Sequence, residues 1–200
     1  MSSFDERARD WDTPERVERA ESAAAAVRGA VPLTPGMRII EIGAGTGLLA
    51  LAIARDVSSV VLAEPSAGML EVANEKIAAS GLDNVSTLRF ALTVDPLPPE
   101  RFDLATSLLV LHHVEDTSAA LAALFALLEP GGRLALVDLD AEDGTFHTDP
   151  EAEVHHGFMR DDLERRAEAA GFRDVAFATV DQIAKRDRVY PLFLLTARRP

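Results

Sequence analysis

Cysteine is absent from the 200 residues, and its absence removes disulfides, thiolate nucleophiles, iron–sulfur ligation and thiolate zinc sites together. Lysine is scarce: Lys76 and Lys185 are the only two, and the other basic residues are arginines. The 20 basic residues face 33 acidic ones, for a net charge of −13. Such a surface repels phosphate backbones and anionic bilayers, so neither nucleic acid nor membrane is expected as a partner. Long apolar runs are missing as well. No stretch nears the roughly 18 apolar residues of a membrane span, and residues 1–12 lack an apolar signal core, so a cytoplasmic location is expected.

What is present is an ordinary folding composition, 48% hydrophobic and 26% charged, in a length that suits a single domain. Pro14 to Ala30 reads as a helix capped by Asp12 or Thr13, with Val17, Ala20, Ala24 and Val27 at helical spacing. After the break at Pro32, Pro35 and Gly36, the expected order is strand 38–42, helix 47–55, strand 59–63, helix 67–79, strand 85–90, strand 102–108, helix 117–128 and strand 133–138. Apolar strands alternating with helices argue for an α/β doubly wound fold: a mostly parallel sheet with helices on both faces, binding ligands beyond the carboxyl ends of its strands. The tail has another rhythm. A helix is expected over 160–170, and 173–180 and 192–197 read as strands without a crossover helix, hence as an antiparallel pair. Pro191 is expected at or before the start of the last strand, because proline cannot donate to a central ladder.

The run Glu41-Ile42-Gly43-Ala44-Gly45-Thr46-Gly47 lies between a strand and a helix. Glycines there permit a sharp turn and a close approach of backbone to ligand at the helix start. A dinucleotide fingerprint would need a glycine at position 48, which is Leu48, and no G-K-[ST] follows to cradle a triphosphate. Glu64 ends the next strand, where a carboxylate accepts hydrogen bonds from both ribose hydroxyls. Turn and acid together point to a nucleoside whose ribose carries no 2′ or 3′ phosphate.

With these residues in place the sequence resembles the class I S-adenosylmethionine-dependent methyltransferases of the small-molecule type. The resemblance rests on residues 39–47, on Val61-Leu62-Ala63-Glu64-Pro65-Ser66 with Met69-Leu70, on Phe102-Asp103-Leu104 leading to Leu111-His112-His113, on Leu128-Glu129-Pro130-Gly131-Gly132, and on Ala170-Gly171-Phe172. It implies a seven-stranded Rossmann-like sheet with the last strand antiparallel, and S-adenosyl-L-methionine as cofactor. By carry-over, Glu41, Gly43, Ala44, Gly45 and Gly47 surround the methionine half, Glu64 holds the ribose, and Pro65 and Met69 flank the adenosine. Leu108, ending the fourth strand, joins the cofactor set. Phe4-Asp5 and Trp11-Asp12 resemble the opening of small-molecule members, which caps the cofactor. One departure concerns adenine: where the family usually has an acid after the third strand, this chain has Leu92 or Thr93, with Asp95 arriving late, so backbone at Ala91 and Leu92 is left to read the base. The expected organisation is an amino-terminal helical cap (1–35), a cofactor-binding core (36–139), a lid-like insert (140–158) and a carboxyl-terminal helix with antiparallel strands (159–200).

Methyl transfer from a sulfonium is an in-line displacement at an activated carbon, so positioning supplies much of the rate. Where the acceptor must lose a proton, His112 and His113, just after the fourth strand, are the candidate catalytic residues. His147, His155 and His156 share the insert with Asp149, Glu151 and Glu153, but without the spacing of a strong ligand set, and no metal is expected. The leading reading is therefore methyl transfer to a small molecule. The alternative is a non-catalytic protein that binds S-adenosylmethionine or a related nucleoside.

Overall fold

A computed structural model describes residues 3–147 and 154–200. A short helix, α1 (Ser3–Arg7), continues through a 3-10 turn to Trp11 and is followed by α2 (Pro14–Ala30). Thr13 starts α2: its hydroxyl accepts the Arg16 N–H, and Pro14 occupies the first turn, where a missing N–H costs nothing. Then come β1 (Arg38–Ile42), α3 (Leu48–Ile53), β2 (Ser59–Ala63), α4 (Ala67–Ser80), β3 (Val85–Leu88) and β4 (Phe102–Leu108). The chain ends with α5 (Thr117–Leu127), β5 (Leu128–Leu139), α6 (Arg160–Ala169), β6 (Arg173–Lys185) and β7 (Arg188–Arg198).

The seven strands form one sheet in the order β3-β2-β1-β4-β5-β7-β6. Only β7 runs against its neighbours, β5 and β6; the other pairings are parallel. From β1 the chain winds outward through β2 and β3, then crosses back to β4 on the other side. The carboxyl ends of β1 and β4 therefore flank the point where the winding reverses, the place at which open α/β sheets bind ligands.

Alternation along β1 divides its residues between two cores. Ile40 and Ile42 face the α5 and α6 side with Leu121, Leu124, Leu163 and Phe172, whereas Ile39 faces the α2 and α3 side with Val27, Leu49 and Ile53. Glu41 shares the parity of Ile39, so its carboxylate is carried toward α3. No described helix is long and apolar enough to cross a membrane.

Several boundaries differ from the sequence pattern. The strand expected over 85–90 stops at Leu88, and the helix expected over 47–55 is α3 plus a 3-10 turn at Ala54–Asp56. In β5 the pairing begins at Leu128, five residues early: Phe102 pairs with Leu128 and Leu104 with Arg133, so the Pro130-Gly131-Gly132 turn is an irregularity within the strand rather than its boundary. The last two strands are each longer than expected and meet at Arg186-Asp187, with Arg186 at φ 57°, a hairpin conformation that asparagine or glycine would have signalled. Pro191 lies inside β7, opposite Gln182. It is tolerated there because the β5 ladder stops at Leu192, leaving Pro191 beyond the doubly paired stretch.

Candidate functional site

The turn after β1 is built from glycines at φ 63°, 54° and 80° for Gly43, Gly45 and Gly47. A side chain at Gly43 would strike Val110 at 2.6 Å, so this position is closed by packing as well as by its backbone. A side chain at Gly45 would meet only Trp11, at 3.6 Å, and so would fill the space beneath the amino-terminal segment. Glu41 is buried, accepts the Ala50 N–H at 2.8 Å, and ties the start of α3 to β1. Burial pushes its carboxyl up to about 8, against the pull of the Ala50 bond and with added repulsion from Glu64.

Glu64, at the end of β2, divides its carboxylate between two backbone donors: Oε2 takes the Gly45 N–H and Oε1 the Ser66 N–H, both at 2.9 Å. Burial pushes this carboxyl up, the Ser66 and Gly45 bonds oppose it, and Asp5 adds repulsion. Each oxygen keeps a second acceptor site, so the group is fixed in position and still able to take two hydroxyl donors.

The amino-terminal segment is laced across this turn. Asp5 accepts the Ser66 hydroxyl at 2.6 Å and the Gly68 N–H at 3.0 Å; Arg9 reaches Glu71 and Glu75 on α4; Asp12 binds the Thr46 hydroxyl and Lys76. Phe4 meets Trp11 edge-on at 5.7 Å and His113 at 5.8 Å, so the same segment joins the glycine turn to the histidines after β4.

His112 and His113 sit on a single 3-10 turn, Leu111–His113. His112 is buried, and its Nδ1 donates to Asp138 Oδ1 at 2.6 Å. Asp138, at the far end of β5, also accepts the N–H groups of Leu139 (2.7 Å) and His112 (3.3 Å). His113 keeps an open face. Desolvation on its packed side, followed by the rings of His112 and His147, pushes its imidazole down to about 4. His147 completes a triangle with the pair: ring centroids lie 5.1 Å from His112 and 5.4 Å from His113.

Ala44 is buried within the α2 and α3 core, and Leu108 packs against that core. Met69 is buried on α4, whereas Pro65 is exposed. Leu92 turns its side chain into the α5 and α6 core, so only its backbone faces outward chemistry. Asp95 does not stay late: its Oδ2 accepts the Ala91 N–H at 2.7 Å, returning a carboxylate to the stretch after β3 and occupying one of the amides expected to read adenine. His155 bonds the carbonyls of Val114 and Glu115 at 3.0 and 3.1 Å, a link between the insert and the start of α5. Asp149, Glu151 and Glu153, with that part of the expected lid, lie outside the described residues.

The geometry suits one kind of group. A glycine cradle open toward Trp11, a fixed carboxylate facing it, and Asp5 and Asp12 at the rim welcome a cationic centre joined to a vicinal diol. Lys76, the lysine at this rim, is paired with Asp12. The histidine triangle and Phe146 escaped the sequence reading as one unit, because 34 residues and a strand separate His113 from His147. The only local signal was the acid-rich, histidine-bearing insert itself.

Comparison with known proteins yields a matching family, the methyltransferase domain, over residues 16–176. Among curated relatives, a ubiquinone/menaquinone biosynthesis C-methyltransferase of Shewanella halifaxensis is 33% identical over 108 residues, 52% of this chain and 43% of that protein. The chain thus matches less than half the length of that relative. A SAM dependent methyltransferase from Aquifex aeolicus superposes with a TM-score of 0.74 at 21% identity over 98% of each chain. Haemonchus contortus phosphoethanolamine N-methyltransferase 2, solved with S-adenosyl-L-methionine, gives 0.76 at 16% identity over 100% of this chain and 60% of that one.

Proposed function

The chain belongs to the methyltransferase domain family, and from that membership we propose that it moves a methyl group from S-adenosylmethionine to a small aromatic acceptor bearing a hydroxyl. The observation that carries the reading is the pairing of Gly45 with Glu64 at the winding reversal, one strand away from His112 and His113. When bound, the cofactor supplies a methyl made electrophilic by its sulfonium. The chain's own residues do the rest. Glu64 accepts the ribose hydroxyls, the turn from Gly43 to Gly47 admits the methionine end, with Ala44 offering backbone because its side chain is buried in the α2 and α3 core, and the half-buried Leu108 adds apolar surface. Phe4, Trp11, His113 and Phe146 offer flat walls to a planar ring, and imidazole nitrogens offer hydrogen bonds to its hydroxyl. Asp138 fixes the His112 ring so that the acceptor meets a set geometry, which is where an in-line displacement gains its rate. The Shewanella relative's role in quinone biosynthesis agrees with a hydroxylated ring as acceptor class.

Calorimetric titration with S-adenosylmethionine and its demethylated product, and labelled-methyl incubation with a panel of phenols, hydroquinones and amines, tests both halves. Micromolar binding, a labelled hydroxylated-ring product, and a loss of about tenfold to hundredfold in cofactor affinity for Glu64→Ala are expected. No heat from folded protein removes the cofactor. Binding with no labelled product across the panel moves the chain to the non-catalytic reading.

A further inference from the structure

We propose that His112, His113 and His147 form a binding site for one divalent transition-metal ion of the zinc class at the acceptor mouth. One ring nitrogen from each lies within 4.8 Å of the other two. Tetrahedral zinc with Zn–N bonds of about 2.0–2.1 Å wants its ligand nitrogens about 3.3 Å apart, so the three rings need close by no more than about 1.5 Å. Imidazole is the ligand type for this class of ion, and three imidazoles leave a fourth position open.

Two further observations point the same way, independently of the spacing. His147 Nε2 is buried with no hydrogen-bond partner among the described residues, an orphan that a fold ordinarily does not tolerate. His112 is held through Nδ1 by the buried Asp138 at 2.6 Å. With the carboxylate accepting, Nδ1 carries the hydrogen and Nε2 keeps its lone pair, the arrangement in which a carboxylate orients a histidine for a metal. The segment bearing His147 is also anchored. Glu142 Oε2 accepts the N–H groups of Thr145 and Phe146 at 2.8 and 3.0 Å, Thr145 bonds Tyr190 at 2.7 Å, and Lys185 holds the Phe146 carbonyl. The ligands thus come from two segments, the 3-10 turn after β4 and the anchored stretch that follows β5.

The fourth position would face the side on which His113 is open, the side that Phe4 borders. A hydroxyl oxygen of an acceptor is a suitable occupant, so the ion would hold an acceptor against the side that Phe4 borders. Nothing in this proposal depends on methyl transfer: ion uptake and cofactor binding are separately measurable, and either can fail alone.

The test uses untagged full-length protein, stripped with chelator and titrated with Zn2+ against a chromophoric chelator, with Co2+ as spectroscopic substitute. One equivalent is expected, with Co2+ visible bands of a four-coordinate site. His113→Ala and His147→Ala should each weaken binding at least tenfold and Asp138→Asn by about 10–100-fold, while His155→Ala leaves it unchanged. Absence of binding, or one equivalent retained in both histidine variants, overturns the proposal. Should a variant not fold, pulsed EPR of Cu2+ bound to the unaltered chain decides: imidazole nitrogen modulation is expected, and its absence overturns the site.

Discussion

Glu41 lies where the apolar pattern of β1 would place an aliphatic side chain, and its neighbour Ala50 supplies a single hydrogen bond for a carboxylate that water cannot reach. Its ordinary value lies near 4.5, and in the folded chain it rises to about 8. Below the ordinary value both states are protonated and nothing is lost. Between the two values the folded chain holds a proton that the unfolded chain has released, so the contribution present at low pH is lost as pH climbs toward about 8, and stays lost above it. Glu41→Gln keeps an acceptor for Ala50 and removes the titration. Its melting temperature should exceed that of the unaltered chain by a margin that widens on the order of 10 °C from about pH 5 to about pH 8; a margin independent of pH in thermal melts would show that Glu41 is already ionised in the fold. Glu41 and Glu64 were legible in the sequence because Glu41 lies two residues before Gly43 and Glu64 directly follows β2, so local order places them. Asp95 and His147 were not. One is returned by a tight turn closed on Ala91, the other by the sheet order that sets the end of β5 beside the end of β4.

At the scale of elements, the alternation of strands and helices was readable because the buried strands are mostly apolar and their helices carry caps, Thr13, Ser66 and Asp116. What escaped was pairing that propensity does not encode: the Arg186-Asp187 hairpin, and the extension of β7 through Pro191. The amino-terminal segment was readable only by resemblance, since α1 is five residues long and gains its place from polar links to α4. Those links make it testable. Asp5→Ala removes the acceptor for the Ser66 hydroxyl and the Gly68 N–H. Cofactor affinity should fall about fivefold to tenfold, and hydrogen exchange over residues 4–12 should speed up. Faster exchange with an unchanged dissociation constant would mean that the segment covers no part of the cofactor.

For the whole molecule, the net charge of −13 separates two ligands that the same sheet edge could in principle hold. A dinucleotide brings a pyrophosphate, and the turn that would receive it is bordered by Glu64, Asp5 and Asp12, with Leu48 in place of the glycine that lets a helix start approach phosphate closely. S-adenosylhomocysteine brings a ribose diol and a zwitterion and no phosphate at all. In the proposed site its contacts would reach the ends of β1 and β2 and the amino-terminal segment together, so its binding should oppose global unfolding rather than local opening. At about a hundredfold its dissociation constant, a ligand confined to the folded state adds about 2.7 kcal/mol. For a chain of this length that corresponds to a rise of about 5–10 °C in melting temperature. NADH at the same concentration should leave the melting temperature where it was, because its phosphates would meet the acids at this rim, where Lys76 is already paired with Asp12. Protection by NADH alone in a thermal shift series would reverse the assignment of this turn, and protection by neither ligand would remove the nucleoside from it.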